Sequence, residues 1–110
     1  MTREIKFRAW NKHIMRMNYN YETHAYFGDM LHNPIVKIMQ FTGLKDKNGK
    51  EIYEGDIIRI TDKIYAPNLK REVVFFENRF CLKEKKNLFS DDIPECEVIG
   101  NIYENPELKK

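Results

Sequence analysis

Residues 39 to 60, MQFTGLKDKNGKEIYEGDIIRI, hold two tight reversals within one short stretch, and this constrains the fold more than any other feature of the chain. Asn48 and Gly49 both tolerate positive φ, which predicts a two-residue type I′ turn between antiparallel strands. Ile52 and Tyr53 follow on the return strand. Gly55 then permits a sharp change of direction at Glu54-Gly55-Asp56, after which Ile57, Ile58 and Ile60 begin another strand. Short strands joined by such turns close into small barrels.

The flanking sequence supplies more strands. Ile5, Phe7 and Ala9 alternate with Glu4, Lys6 and Arg8, a period of two that sets one row against a core and the other in water. Asn11 and Lys12 supply a turn, and Met15, Met17, Tyr19 and Tyr21 then alternate with Arg16, Asn18 and Asn20 on a strand that pairs back. Residues 22 to 34 read as a loop with at most one helical turn. The apolar run from Ile35 to Phe41 predicts a strand covered on both faces, or one that changes sheets. Residues 61 to 71, with Pro67, read as an excursion, and residues 72–76 and 79–82 as a hairpin turning at Glu77-Asn78. A polar loop precedes the last strand, Cys96 to Tyr103, where Gly100 marks a bulge or bend. Asn105 and Pro106 cap and start a terminal helical turn.

A chain of 110 residues is expected to enclose one core and form one domain. An aromatic share of 13%, together with the isoleucines, favours strands over helices. The formal net charge of +2 is too small to imply a nucleic-acid partner by itself. No apolar run reaches the roughly 18 residues that span a bilayer, and Arg3, Glu4 and Lys6 stand where a signal peptide would be apolar, so a cytoplasmic protein without membrane contact is expected. Cys81 and Cys96 lack CxxC spacing and read as small apolar core side chains, not a disulfide.

Chemistry-bearing constellations are sparse. His13, His24 and His32 have no zinc-motif spacing, so no metal is expected. Cys81 lies in an apolar strand where a thiol stays protonated and inert, and adjacent Asp91 and Asp92 read as turn caps. Asp46, Glu51, Glu54 and Asp56 read as turn acceptors or solvated charges. Five glycines form no phosphate loop, so neither a catalytic set nor a cofactor is expected. The one candidate surface is basic: Lys45, Lys47 and Lys50 at the hairpin tip, with Lys63, Lys70 and Arg71 on the next excursion around Tyr65. Lysines beside an aromatic suit single-stranded nucleic acid, although Asp46, Glu51 and Asp62 dilute the field and lysine-rich loops are ordinary solubility features. Lys83, Lys85 and Lys86 form a similar run. Protein association is the other reading, because Tyr19 and Tyr21 lie on an N-terminal strand that presents a sheet edge.

The blocks REIKFRAW at 3 to 10, MQFTGLKDKNGKEIYEGDIIRI at 39 to 60 and VIGNIYENPEL at 98 to 108 together resemble the YopX family of small phage and prophage proteins. The resemblance implies a small barrel of the Src-homology-3 type over residues 39–103, preceded by a β extension over 1–38 and followed by a tail over 104–110. It brings no catalytic or binding residues, and the matched Phe41, Thr42, Gly43, Leu44, Gly49, Ile52, Gly55 and Asp56 read as folding requirements. The expected function is therefore a non-enzymatic phage or prophage accessory role in the bacterial cytoplasm. It works through association with itself or with a host or phage protein, and a nucleic-acid-binding barrel is the alternative.

Overall fold

The structure, a computed structural model, describes residues 5–62, 66–76, 79–82 and 96–109. These residues form eight strands in two antiparallel sheets and almost no helix, the all-β fold expected from the sequence. Strands β1 (Phe7–Asn11), β2 (Arg16–Tyr19), β3 (Val36–Lys45) and β4 (Glu51–Tyr53) make the first sheet in the order β2-β1-β3-β4. Strands β5 (Asp56–Asp62), β6 (Ala66–Phe76), β7 (Arg79–Leu82) and β8 (Cys96–Asn101) make the second, in the order β7-β6-β5-β8.

The second sheet curls into a half-barrel, and the β3–β4 hairpin closes over it. The amide of Lys47 donates to the Cys96 carbonyl at 3.1 Å, and the Val98 amide donates to Asp46 Oδ2 at 2.9 Å, so the hairpin tip is tied to β8. The core so enclosed contains Ile52, Ile58, Val73, Phe80, Leu82 and Cys96, with Leu44, Ile60 and Val98 against them. Each fully buried aliphatic side chain there stabilises the fold by about 1.5–3 kcal/mol. Cys81 and Cys96 are both buried and unbridged.

A smaller cluster, Ala9, Tyr21 and Val36 with Phe7, Phe27, Met30 and Ile38, lies under the segment between β2 and β3. That segment contributes a 3₁₀ turn, Tyr21–Thr23, and a single helical turn, Phe27–Met30. β3 belongs to both parts: residues 36–40 pair with β1, and residues 41–45 pair with β4. The strand that changes partners thus runs unbroken through residues 38 and 39, and the N-terminal hairpin shares a strand with the barrel.

Several local expectations are corrected. The β3–β4 loop is not a two-residue type I′ turn, because Gly49 has φ +82° while Asn48 has no positive φ. The Asp46 amide bonds the Lys50 carbonyl and the Gly49 amide bonds the Asp46 carbonyl, giving a three-residue loop with glycine in the left-handed position. Asp46 decides this, since its Oδ1 accepts from the amides of Asn48 and Lys50 at 2.8 and 2.9 Å. Residues 61–71 are not an excursion: β5 runs to Asp62 and β6 starts at Ala66, with Pro67 beside a register shift where a ladder donor is dispensable. On the first strand the two rows are not core and water. Arg8 is buried, because the sheet is covered on both faces, and Ile5 is exposed, because it precedes β1. Met15, read as strand, sits in the turn with φ 54°. Gly100 does flank a bulge, since Ile57 pairs with Gly100 while Ile58 pairs with Val98. Pro106 starts the terminal 3₁₀ turn, as its φ favours. The Glu77-Asn78 turn, Asp91, Asp92, Lys83, Lys85 and Lys86 lie outside the described residues.

Candidate functional site

The site begins at Gly55. Its φ of +89° is a left-handed conformation that glycine adopts without strain, and a Cβ there would come within 2.9 Å of Met39 Sδ. The corner ends β4 after three residues and carries the chain into the other sheet, where the Gly55 amide donates to the Val73 carbonyl at 2.8 Å. Asp56, predicted as a turn acceptor, is buried under the corner. Its Oδ1 takes the Arg8 guanidinium at 2.8 Å and its Oδ2 takes the Tyr53 amide at 2.8 Å. Arg8 also lies over the Tyr53 ring, 4.8 Å from the centroid. Burial raises the Asp56 carboxyl above its ordinary value, against the Arg8 charge and the Tyr53 amide. Because the guanidinium cannot release its proton, removing Asp56 strands the Arg8 charge in the core.

β3 is ten residues long and β4 three, so the early departure of β4 leaves part of β3 uncovered. The phase of the β1–β3 ladder shows which groups are exposed. Phe41 donates to the Lys6 carbonyl and Lys12 to the Ile35 carbonyl, so the backbones of Lys37 and Met39 face β1 while those of Val36, Ile38 and Gln40 face away. Gln40 is satisfied there: its carbonyl accepts the Glu54 amide at 3.0 Å and its amide donates to Glu54 Oε1 at 2.9 Å. The Val36 amide reaches the Asn33 carbonyl at 3.3 Å. Among the described residues, the Ile38 amide, the Ile38 carbonyl and the Val36 carbonyl have no ladder partner.

These groups form the floor of an open cleft of about 490 Å³. Phe7, Leu31, Lys37, Glu54 and Tyr103 line it. Phe7 packs with Val36 and Ile38 on one face of β3, while Lys37 pairs with Trp10, on which Tyr103 stacks, on the other face. Burial raises the Glu54 carboxyl, opposed by the Gln40 amide and by Arg8. Burial, then the charges of Glu54 and Glu72, raises the Tyr103 hydroxyl. Tyr103 stacks on Trp10 at 6.1 Å, which fixes that side of the cleft.

The basic set separates. Lys45, Lys47 and Lys50 are exposed together at the β3–β4 tip. Lys70 is exposed on β6, in a row with Arg59 and Glu97 across three strands. Glu97 takes Arg59 at 2.7 Å and Asn48 Nδ2 at 3.4 Å, so a carboxylate stands between the tip lysines and Lys70. Arg71 pairs with Ile58 and therefore shares the opposite face. It is half-buried, and its Nη1 donates to the Lys70 carbonyl at 2.8 Å. Lys63 and Tyr65 lie outside the described residues. His13, His24 and His32 are exposed, and no group of three or more potential metal ligands occurs among the described residues. Asp46, also read as solvated, is buried and bound to three amides.

A curled half-barrel that shares one strand with an N-terminal hairpin defines a class of small all-β domain. Within that class, the chain belongs to the YopX family, described as YopX protein, which matches residues 6–110. Among solved structures it is similar to protein EF1440 from Enterococcus faecalis, with 27% identity, a TM-score of 0.76, and coverage of 99% of this chain and 100% of that one. No curated protein matches the chain. Among the described residues, no helix is long and apolar enough to cross a membrane.

Proposed function

We propose that this protein acts by association with another protein chain, its own or a host or phage protein, as a non-enzymatic accessory in the cytoplasm of a bacterium carrying a phage or prophage. The observation that carries this reading is the β1–β2 hairpin. β2 ends its sheet, and Ile14, Met15 and Tyr19 are 57%, 69% and 53% exposed on or beside it. Apolar and aromatic side chains beside an uncovered sheet edge form the kind of surface at which proteins meet. Light scattering after size exclusion tests the self-association branch. The wild type is expected to run above monomer mass at high concentration, and Met15→Ser to shift it toward monomer. A strict monomer at every concentration refutes that branch.

Nucleic-acid binding is the second reading, favoured by the clustering of Lys45, Lys47 and Lys50 on one exposed tip. A labelled single-stranded oligonucleotide at two salt concentrations tests it. A phosphate-binding surface loses affinity steeply with salt, and no binding at low salt removes the reading.

A further inference from the structure

We infer that the cleft beside β3 docks an extended peptide segment of a partner protein, which adds to the first sheet in line with β4 and pairs with the backbone of Ile38. The inference goes beyond the association reading above, whose surface is the β2 edge, and adds a second docking surface at the opposite edge of the same sheet, with the conformation of its occupant. Three observations converge. First, Ile38 presents both its amide and its carbonyl to the cleft, the donor and acceptor that an antiparallel neighbour exchanges with one residue. Second, the row is already begun by β4 and continued by Glu54 opposite Gln40, so an added strand extends existing pairing. Third, the two sides of β3 at the cleft differ in the way that successive side chains of a strand do: Phe7 packs with Val36 and Ile38 on one face, while Lys37, on the other, lines the cleft with the Glu54 carboxylate and Tyr103.

The occupant follows from these features. The uncovered stretch from Val36 to Met39 spans about 13 Å, enough for a strand of about four residues. Glu54 Oε1 is held by the Gln40 amide, and among the described residues no hydrogen bond engages its second oxygen, so the segment carries a lysine or arginine there, flanked by aliphatic residues that face Phe7. Exposed Lys37 beside the edge deters indiscriminate strand pairing, since a lysine must be desolvated or displaced by any flat apolar neighbour.

The test uses a phage-displayed library of random octapeptides panned on the full chain, followed by synthetic versions of the enriched peptides. Enriched sequences are expected to alternate aliphatic with basic residues. Methylating the central backbone nitrogens of such a peptide keeps its side chains, removes its ladder donors, and is expected to weaken binding at least about tenfold. Ile38→Pro removes the cleft-facing amide and no β1 ladder bond, and is expected to weaken binding by a similar factor. Glu54→Gln is expected to weaken basic peptides several-fold and to leave versions with leucine in place of the basic residue unchanged. If Ile38→Pro fails to fold, the methylated peptides and amide exchange in the wild type still decide. The Ile38 amide is expected to exchange fast without peptide and slowly with it, while the Lys37 and Met39 amides stay protected throughout. No enrichment, or equal affinity for methylated and unmethylated peptides, overturns the inference. Concentration-dependent protection of Ile38 without peptide assigns the edge to a second copy; this overturns the peptide inference and leaves association standing.

Discussion

Asp46 is the residue on which barrel closure most depends, and its removal gives the sharpest test of the fold. Its two oxygens accept three backbone amides: Asn48 and Lys50 within the hairpin, and Val98 on β8. A hydrogen bond to a charged group contributes about 1.5–3 kcal/mol net, and an unsatisfied buried donor costs about 1–3 kcal/mol. Asp46→Asn can retain one acceptor oxygen for Asn48 and Lys50, but turns an amide group toward the Val98 N–H. The expected loss is about 2.5–6 kcal/mol, from one charged bond and one stranded donor. Asp46→Ala strands all three amides and is expected to lose more, a large part of the roughly 5–15 kcal/mol that holds a domain folded. Urea unfolding followed by the fluorescence of the single tryptophan, Trp10, measures both. Amide exchange should place the local effect at Val98. A loss below about 0.5 kcal/mol for Asp46→Asn, the range of an ordinary surface substitution, refutes the closure argument.

Further predictions follow from the same geometry. Burial would raise the Asp46 carboxyl, but the amides of Val98, Lys50 and Asn48 and the Lys50 charge outweigh it and hold the carboxyl below its ordinary value. Its contribution is therefore present above the unfolded value of about 3.9 and lost as pH falls through the folded one, so the wild type and Asp46→Asn should converge in stability below about pH 4. Gly55→Ala should destabilise by at least about 1 kcal/mol more than Gly49→Ala in thermal unfolding: both φ angles are positive, but a Cβ at Gly49 meets nothing within 4 Å while one at Gly55 meets Met39 Sδ. Asp56→Asn should cost about 3–5 kcal/mol by stranding Arg8, and Arg8→Met combined with Asp56→Leu should recover more than half; a double variant as unstable as the single would refute the stranded-charge account.

The sequence carried most of the strands, because a period of two and the positions of glycine are local properties. Phe7 and Ala9 on β1, the unbroken run into β3, the reversals at Gly49 and Gly55, the bulge at Gly100 and the start of the last turn at Pro106 were all legible in it. What it could not carry was which charged groups lose their water. Arg8, Asp46 and Asp56 look like solvated charges because their neighbours in sequence are polar, and only the meeting of β1 with the Gly55 corner, and of the hairpin tip with β8, buries them. The basic surface divided for a related reason: Lys70 and Arg71 are adjacent in sequence, and a strand sends adjacent side chains to opposite faces.

The cleft was invisible for a third reason. Its floor is backbone, which every residue possesses, and its existence depends on β4 leaving β3 while β3 still has the five residues from Val36 to Gln40 at or beyond the point of departure. The unequal lengths of the apolar run before Asn48 and the brief Ile52-Tyr53 return were the available signal. Residue order thus determined the all-β class and its turning points, because steric preferences act between chain neighbours. Burial of charge and the uncovered edge were settled only when distant strands met, since desolvation and ladder pairing are properties of contacts across the chain.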